Sequence, residues 1–457
     1  MRRTSAALAA AALAGCSMMP AYERPAAPVP LAFPAGGPES GPVAADPAWQ
    51  DFFADEQLRS LIATSLRNNR DLRVAVLNIE QARAQYDIRN ADRTPTLNAA
   101  AGASRAPSAS GGVATTYSAG LAVTAWEIDL FGRVASLSQA ALSQYFATVE
   151  GRAAAQVSLV SAVANSWLAL IADQELVALT RQTLATREDS LRLTRLRFDV
   201  GASSELDVRL AQSLTETARA ALAQQERQRA LNINALGLLL GQAVPADLRI
   251  GVDSASVALP DLPAGTPSEV LMLRPDVRQA EQQLMAANAN IGAARAAFFP
   301  RISLTAAFGS ASNELDGLFR GGSWAFTAAP QLLQPIFDAG RNRAGLASAV
   351  AGRDIAVAQY ERAIQSAFRE VSDALAGRAT LAQQLRAQRA VAEAESGRLR
   401  LSQMRFEAGV ASFLDLLDAQ RSLFTARQAV IQIRLAQLQN QVLLYRALGG
   451  GWKGPGG

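Results

Sequence analysis

Apolar side chains recur at helical spacing along residues 55–92, where Leu58, Leu61, Ile62, Leu66, Leu72, Ala75, Val76 and Ile79 form one stripe, and the spacing predicts a helix. A counterpart runs over about 268–298. Each segment stops just before a proline, Pro95 or Pro300, because the proline ring keeps the preceding residue out of the α conformation. The period then changes to two, in what read as two strand-like runs per half of the chain. Tyr117, Ala119, Leu121, Val123 and Ala125 alternate with Ser118, Gly120, Ala122 and Thr124. In the second half Ile302, Leu304, Ala306 and Phe308 alternate with Ser303, Thr305, Ala307 and Gly309, and Trp324, Phe326 and Ala328 with Ala325, Thr327 and Ala329. Alternation predicts strands with one apolar and one small or polar face. A length of about 10 residues suits a membrane barrel, and a soluble sandwich strand would alternate in the same way. Proline-free helical tracts follow at about 134–198 and 342–406, each extending roughly 100 Å at 1.5 Å per residue. Gly201 or Gly409 turns the chain, and a second helix of about 37 residues runs to Gly241 or Gly449, where glycine fits a helix C-cap.

The chain is written twice. Residues 197–207 read RFDVGASSELD and residues 405–415 read RFEAGVASFLD, 208 positions apart as Gly409 is from Gly201. At the same offset Ala211-Gln212 falls on Ala419-Gln420, Leu240-Gly241 on Leu448-Gly449, and Gly132-Arg133 on Gly340-Arg341. Each repeat therefore reads helix, hairpin, long helix, helix. The opening and closing helices together match one long helix, so each half predicts a two-stranded coil with a β-hairpin at one end. The resulting divisions are 1–15 as signal peptide, 16–47 as an extended Pro- and Ala-rich linker, 48–250 and 267–450 as the repeats, 251–266 between them, and 451–457 as a tail. Four strands per copy cannot close a membrane barrel, and open edges are not tolerated in lipid. Barrels start at about eight strands, so other copies must supply the rest, and three copies give about twelve.

Composition narrows the chemistry. There are no histidines, which excludes His-based zinc sites and Ser-His-Asp catalysis. The net charge of +4 is small for 457 residues, and arginine alternates with acids and glutamine along helical patterns, without the basic patch of a nucleic-acid binder. No run of 18 or more apolar residues is evident after the first segment, so no transmembrane helix is expected. Arg2 and Arg3 precede about 10 apolar residues, the pattern of a signal peptide. That stretch ends in Leu13-Ala14-Gly15-Cys16, and Cys16 is the only cysteine. The segment resembles the bacterial lipobox, which implies an S-diacylglycerol and an N-palmitoyl group on Cys16. An ordinary signal peptide with a stray cysteine is the alternative. Ser17 stands where an aspartate would signal inner-membrane retention, which favours the outer membrane.

A resemblance becomes specific at Pro275-Asp276-Val277-Arg278 with Ala280-Glu281, and at residues 286–300, AANANIGAARAAFFP. The first-half versions are Asn68-Asn69, Asp71-Leu72 and residues 79–86, IEQARAQY; residues 416–424, LLDAQRSLF, and 445–452, YRALGGGW, complete the pattern. From about residue 46 onward the chain resembles the outer-membrane efflux duct family, TolC-like in plan, in its lipidated OprM or NodT branch. The resemblance implies a mainly α protein with a membrane β-barrel portion: a homotrimer with a 12-stranded barrel in outer-membrane lipid, standing on an α-helical tunnel. It implies a passive gated duct in a tripartite system with a periplasmic adaptor and an inner-membrane transporter of the RND (proton-driven) type, exporting small molecules. Leu414, Asp418 and Arg421 occupy positions resembling a gate: a hydrophobic ring, an acidic ring that would select cations, and a tethering arginine. Asp415 adds a second acid. Their bland alternative is a solvated first helical turn favoured by the macrodipole. Phe406 departs from the family, which often carries a tyrosine there. The turns at Gly201 and Gly409 are expected to dock the adaptor, or simply to permit positive φ. The competing function is a lipid-anchored coiled-coil scaffold without a channel; no enzyme motif is visible.

Overall fold

A computed structural model describes residues 17–34, 48–107, 112–251, 254, 257–260 and 268–450. Cys16, the signal segment and the tail from residue 451 lie outside the described residues. The helices are α1 (Trp49–Phe52), α2 (Glu56–Asn68), α3 (Arg70–Ala91), α4 (Arg133–Asp199), α5 (Glu205–Leu240), α6 (Pro275–Ala296), α7 (Arg341–Glu407) and α8 (Phe413–Ala447). The strands are β1 (Leu97–Pro107), β2 (Val113–Ile128), β3 (Arg301–Ser312) and β4 (Trp324–Leu333). The chain divides into two compact units, each drawn from both repeats. One holds Met1–Ala27, Leu77–Gly151 and Arg278–Ala363, and the other Pro28–Val76, Arg152–Val277 and Ile364–Gly457.

In the first unit the strands form one antiparallel sheet in the order β1-β2-β3-β4. The predicted face is there. Ala99 opposes Leu121, Leu121 opposes Phe308, and Phe308 opposes Phe326, a row of apolar side chains across all four strands. One detail differs from simple alternation. A bulge between Val123 and Trp126 inserts one residue, with Ala125 at φ 49°. Beyond it Trp126 and Ile128 join the apolar face opposite Leu304 and Ile302, not Ala125. Glu127 is thereby turned to the other face, where Arg133 (2.7 Å) and Arg301 (2.7 Å) hold it. On that small face Gly120 meets Gly309 so closely that a Cβ on Gly120 would stand 2.5 Å from the Gly309 Cα.

The expected helix over 55–92 is two helices, α2 and α3, because Asn69 is extended (φ −61°, ψ 131°). Its Oδ1 accepts from the Leu72 N–H (2.9 Å), capping α3, while its Nδ2 donates to the Leu239 carbonyl near the end of α5 (3.0 Å). The counterpart over 268–298 likewise splits into a 3₁₀ turn, Ser268–Leu273, and α6, with Pro275 at the first helical position. In the second unit Phe52 stacks on Tyr445 (4.1 Å) with Phe53 edge-on (5.8 Å). Ala172, Leu176 and Ile431 join α4 to α8, and buried Ala211, Ala218, Ala367, Ala374 and Ala419 allow close helix approach. One 18-residue window of α4 is apolar on average, but polar residues such as Ser161, Asn165 and Ser166 interrupt it and 61% of it is buried in protein, as befits a core helix.

Residues 17–34 form neither helix nor strand, but side chains and backbone tie them to the rest of the chain. In the first unit Arg24 grips Glu281 with two bonds (2.6 and 3.1 Å), Tyr22 donates to the same carboxylate (3.0 Å), and Asn288 donates to the Pro20 carbonyl (2.9 Å). In the second, Phe33 stacks on Phe368 (4.9 Å) and Leu31 accepts from the Ser268 N–H (3.0 Å).

Candidate functional site

The two helix turns share one construction. Gly201 (φ 77°) and Gly409 (φ 76°) take the left-handed conformation that ends α4 and α7. Ala202 N–H donates to the Arg197 carbonyl (2.7 Å) and Val410 N–H to Arg405 (2.9 Å), closing Schellman motifs. Ser204 then caps α5 and Ser412 caps α8, each in a reciprocal capping box with Asp207 or Asp415. Asp415 thus spends its carboxylate on the Ser412 N–H (3.1 Å), and the Ser412 hydrogen bonds hold it below the usual carboxylate range. Around the turns stand exposed apolar side chains: Val200 and Leu206 at one, Val410 and Leu414 at the other.

The repeats diverge one turn further along. Asp418 accepts from Arg398 on α7 (2.5 Å) and from Arg421 on its own helix (2.5 Å). Arg398 also holds Glu395 (3.2 Å) and Ser422 (3.3 Å). Hydrogen bonding from Arg398, aided by Arg421, keeps Asp418 below the usual carboxylate range. Two acids thus balance two arginines. In the first repeat the positions of Arg398, Asp418 and Arg421 are Ser190, Leu210 and Ser213, so this cluster exists once per chain. Arg398 escaped the sequence reading; its replacement by serine at the paired position was the available signal. Phe406, without a hydroxyl, instead lies beneath the Arg197 guanidinium (5.2 Å) and beside Phe413 (5.5 Å). This contact links the two turns.

The first unit, taken by itself, presents a second feature in its sheet. Leu121, Phe308, Trp324, Phe326 and Leu332 are exposed large apolar side chains, and β1 and β4 have no outer neighbour. An exposed apolar strand face bordered by open edges is a surface that lipid or further strands must cover, as in a subunit of a membrane barrel. The chain matches the outer membrane efflux protein family over residues 61–242 and 266–450 and belongs to that family. It is similar to the probable efflux pump outer membrane protein TtgC of Pseudomonas putida, 47% identical over 460 residues covering 98% of this chain and 95% of that one. Outer membrane protein OprJ of Pseudomonas aeruginosa is also 47% identical, over 98% of this chain and 95% of its own length. The crystal structure of the open MtrE outer membrane channel of Neisseria gonorrhoeae superposes with a TM-score of 0.88 at 42% identity, covering 96% of this chain and 99% of that one. The protein is an outer-membrane component of an efflux system.

Proposed function

We propose that three copies close one 12-stranded barrel in the outer membrane, and that their helix turns form the gated end of the channel. The observation that carries this reading is a four-stranded sheet with an apolar exposed face and two unpaired edges, which lipid tolerates only when further strands close it. The apolar side chains around Gly201 and Gly409 support docking of a periplasmic adaptor at the turns, and the family supports an inner-membrane RND-type transporter beyond it. The duct itself is passive. Leu414 forms the hydrophobic ring and Asp418 with Arg421 the ionic one, with Asp415 serving mainly to cap α8. Because Arg398 and Arg421 balance Asp418, the chain selects cations only after those pairs separate. Solvent and antibiotic efflux, named for relatives in Pseudomonas putida, supports small organic compounds as cargo. The diacylglycerol and palmitoyl groups sit on Cys16, whose neighbours Met18 to Pro20 lie along α6 just before β3.

The test is conductance of the purified protein in a planar bilayer. A closed or flickering pore is expected for the wild type, and Asp418→Ala with Arg421→Ala should raise its conductance. The absence of any pore would favour the scaffold; a pore that the double variant leaves unchanged would overturn the gate assignment alone.

A further inference from the structure

A cavity of about 350 Å³ lies in the second unit between α4, α7 and α8, and its walls carry Arg187, Arg400 and Arg427 but no acid. Arg187 is 4% exposed. One of its nitrogens donates to the Leu214 carbonyl (2.9 Å) and its guanidinium rests on the Phe424 ring (5.6 Å), while its Nε is buried without a hydrogen-bond partner. No carboxylate pairs with it among the described residues. The acids nearby are committed elsewhere: Glu188 to Arg219 (2.8 Å), Asp189 to Arg192 (2.9 Å), Glu395 to Arg398 (3.2 Å). A guanidinium buried without a counter-charge is costly, and burial already lowers its proton affinity.

The duplication shows how the charge imbalance arises. At the 208-residue offset, Arg192 and Arg219 of the first repeat correspond to Arg400 and Arg427. Arg192 pairs with Asp189, and Arg219 with Glu188 and Glu216. In the second repeat those three acids are replaced by Gly397, Ser396 and Phe424. The two arginines are kept, their acids are gone, and both face the cavity that Arg187 enters from α4. Gln420, also in the wall, has a buried Oε1 without a donor; the flipped amide would turn its N–H₂ to the same space.

We propose that this cavity binds a phosphate-type oxyanion, held by Arg187, Arg400 and Arg427. Arginine forks match the paired oxygens of phosphate. The anion supplies the missing counter-charge and bridges α4 to the α7–α8 pair.

The full-length protein, purified in detergent without phosphate, is titrated with inorganic phosphate by calorimetry at constant ionic strength. One saturable site per chain is expected. Arg187→Gln should weaken it by about tenfold or more, as should Arg400→Gln with Arg427→Gln, at about 1.4 kcal/mol per decade. The second variant, with both changes at exposed side chains, decides the matter if the first misfolds. Arg192→Gln with Arg219→Gln, the paired positions of the first repeat, should leave binding unchanged. Short-chain phosphatidylglycerol in a parallel titration separates a free anion from a lipid headgroup: binding of phosphate alone assigns the free ion, and binding of both assigns a site open to headgroups. No saturation by about 10 mM phosphate, or equal loss in the first-repeat control, overturns the proposal. Neither outcome depends on conductance.

Discussion

Arg274 sits at the head of the Pro275-Asp276-Val277-Arg278 motif, and replacing it tests what that motif is for. Its side chain is 7% exposed. The guanidinium forks Asp276 (3.0 and 2.7 Å), donates to Glu370 (2.9 Å) and satisfies the Ala447 carbonyl at the end of α8 (2.7 Å). Arg274→Ala strands that carbonyl and two carboxylates. Removing one partner of a buried ion pair costs about 3–5 kcal/mol. Here the lower end applies. Asp276 is 45% exposed and can be resolvated, and Glu370 keeps Arg446 at 3.7 Å. A loss of about 3 kcal/mol corresponds to about 5 °C in the melting of a unit of roughly 270 residues, at about 2.1 cal/mol/K of unfolding entropy per residue. Arg274→Lys keeps the charge but not the fork, and should fall between the two. The assay is thermal denaturation of the purified protein followed by circular dichroism, with trypsin cleavage between α6 and α8 as a second readout. A melting shift under about 1 °C for Arg274→Ala would refute the reasoning, because it would mean the fork is solvated in the folded protein.

Gly120→Val should block pairing of β2 with β3, since even a Cβ meets the Gly309 backbone at 2.5 Å; loss of strand signal in circular dichroism and of channel conductance is expected, with Gly102→Ala, whose Cβ meets only the Ser118 Oγ at 3.8 Å, as the mild control. The carboxylates of Asp415 and Asp418 are held low by Ser412 and Arg398, so what they stabilise is fully present above the unfolded aspartate value of about 3.9 and is lost as pH falls through the lower folded values. Channel conductance should therefore be flat from about pH 5 to 8 and rise only below about pH 4; a rise near neutrality would exclude these acids as the cause. Cys16→Ala behind a non-lipoprotein signal should still reach the outer membrane and export, because the barrel and the strap contacts of Tyr22 and Arg24 hold the chain; a soluble periplasmic product would contradict this.

Much of the architecture was legible because it rests on period and local chemistry. Helical spacing and the Gly201 and Gly409 turns act within a few residues, and the 208-residue duplication needs only the sequence to be read against itself. The three glycine pairs, Gly132 and Gly340, Gly201 and Gly409, Gly241 and Gly449, all take positive φ at matching places. The alternation in β2 placed the apolar face correctly up to Val123. It failed beyond, since a bulge is decided by the pairing partner and not by the strand that carries it. Asn69 likewise breaks a continuous helical pattern because a carbonyl 170 residues away is there to accept its amide. At the candidate gate, Leu414, Asp418 and Arg421 were readable from the motif. Arg398 was not, because the contact joins α7 to α8 across 20 residues of turn and helix. The chain alone settles the order of helix, hairpin, long helix and helix, and that it comes twice, since that follows from local spacing; the break at Asn69 and the bulge in β2 do not. Which charge meets which, and which arginine is left without an acid, follows only once packing brings distant helices within hydrogen-bonding distance, because ion pairs form through space and not along the chain.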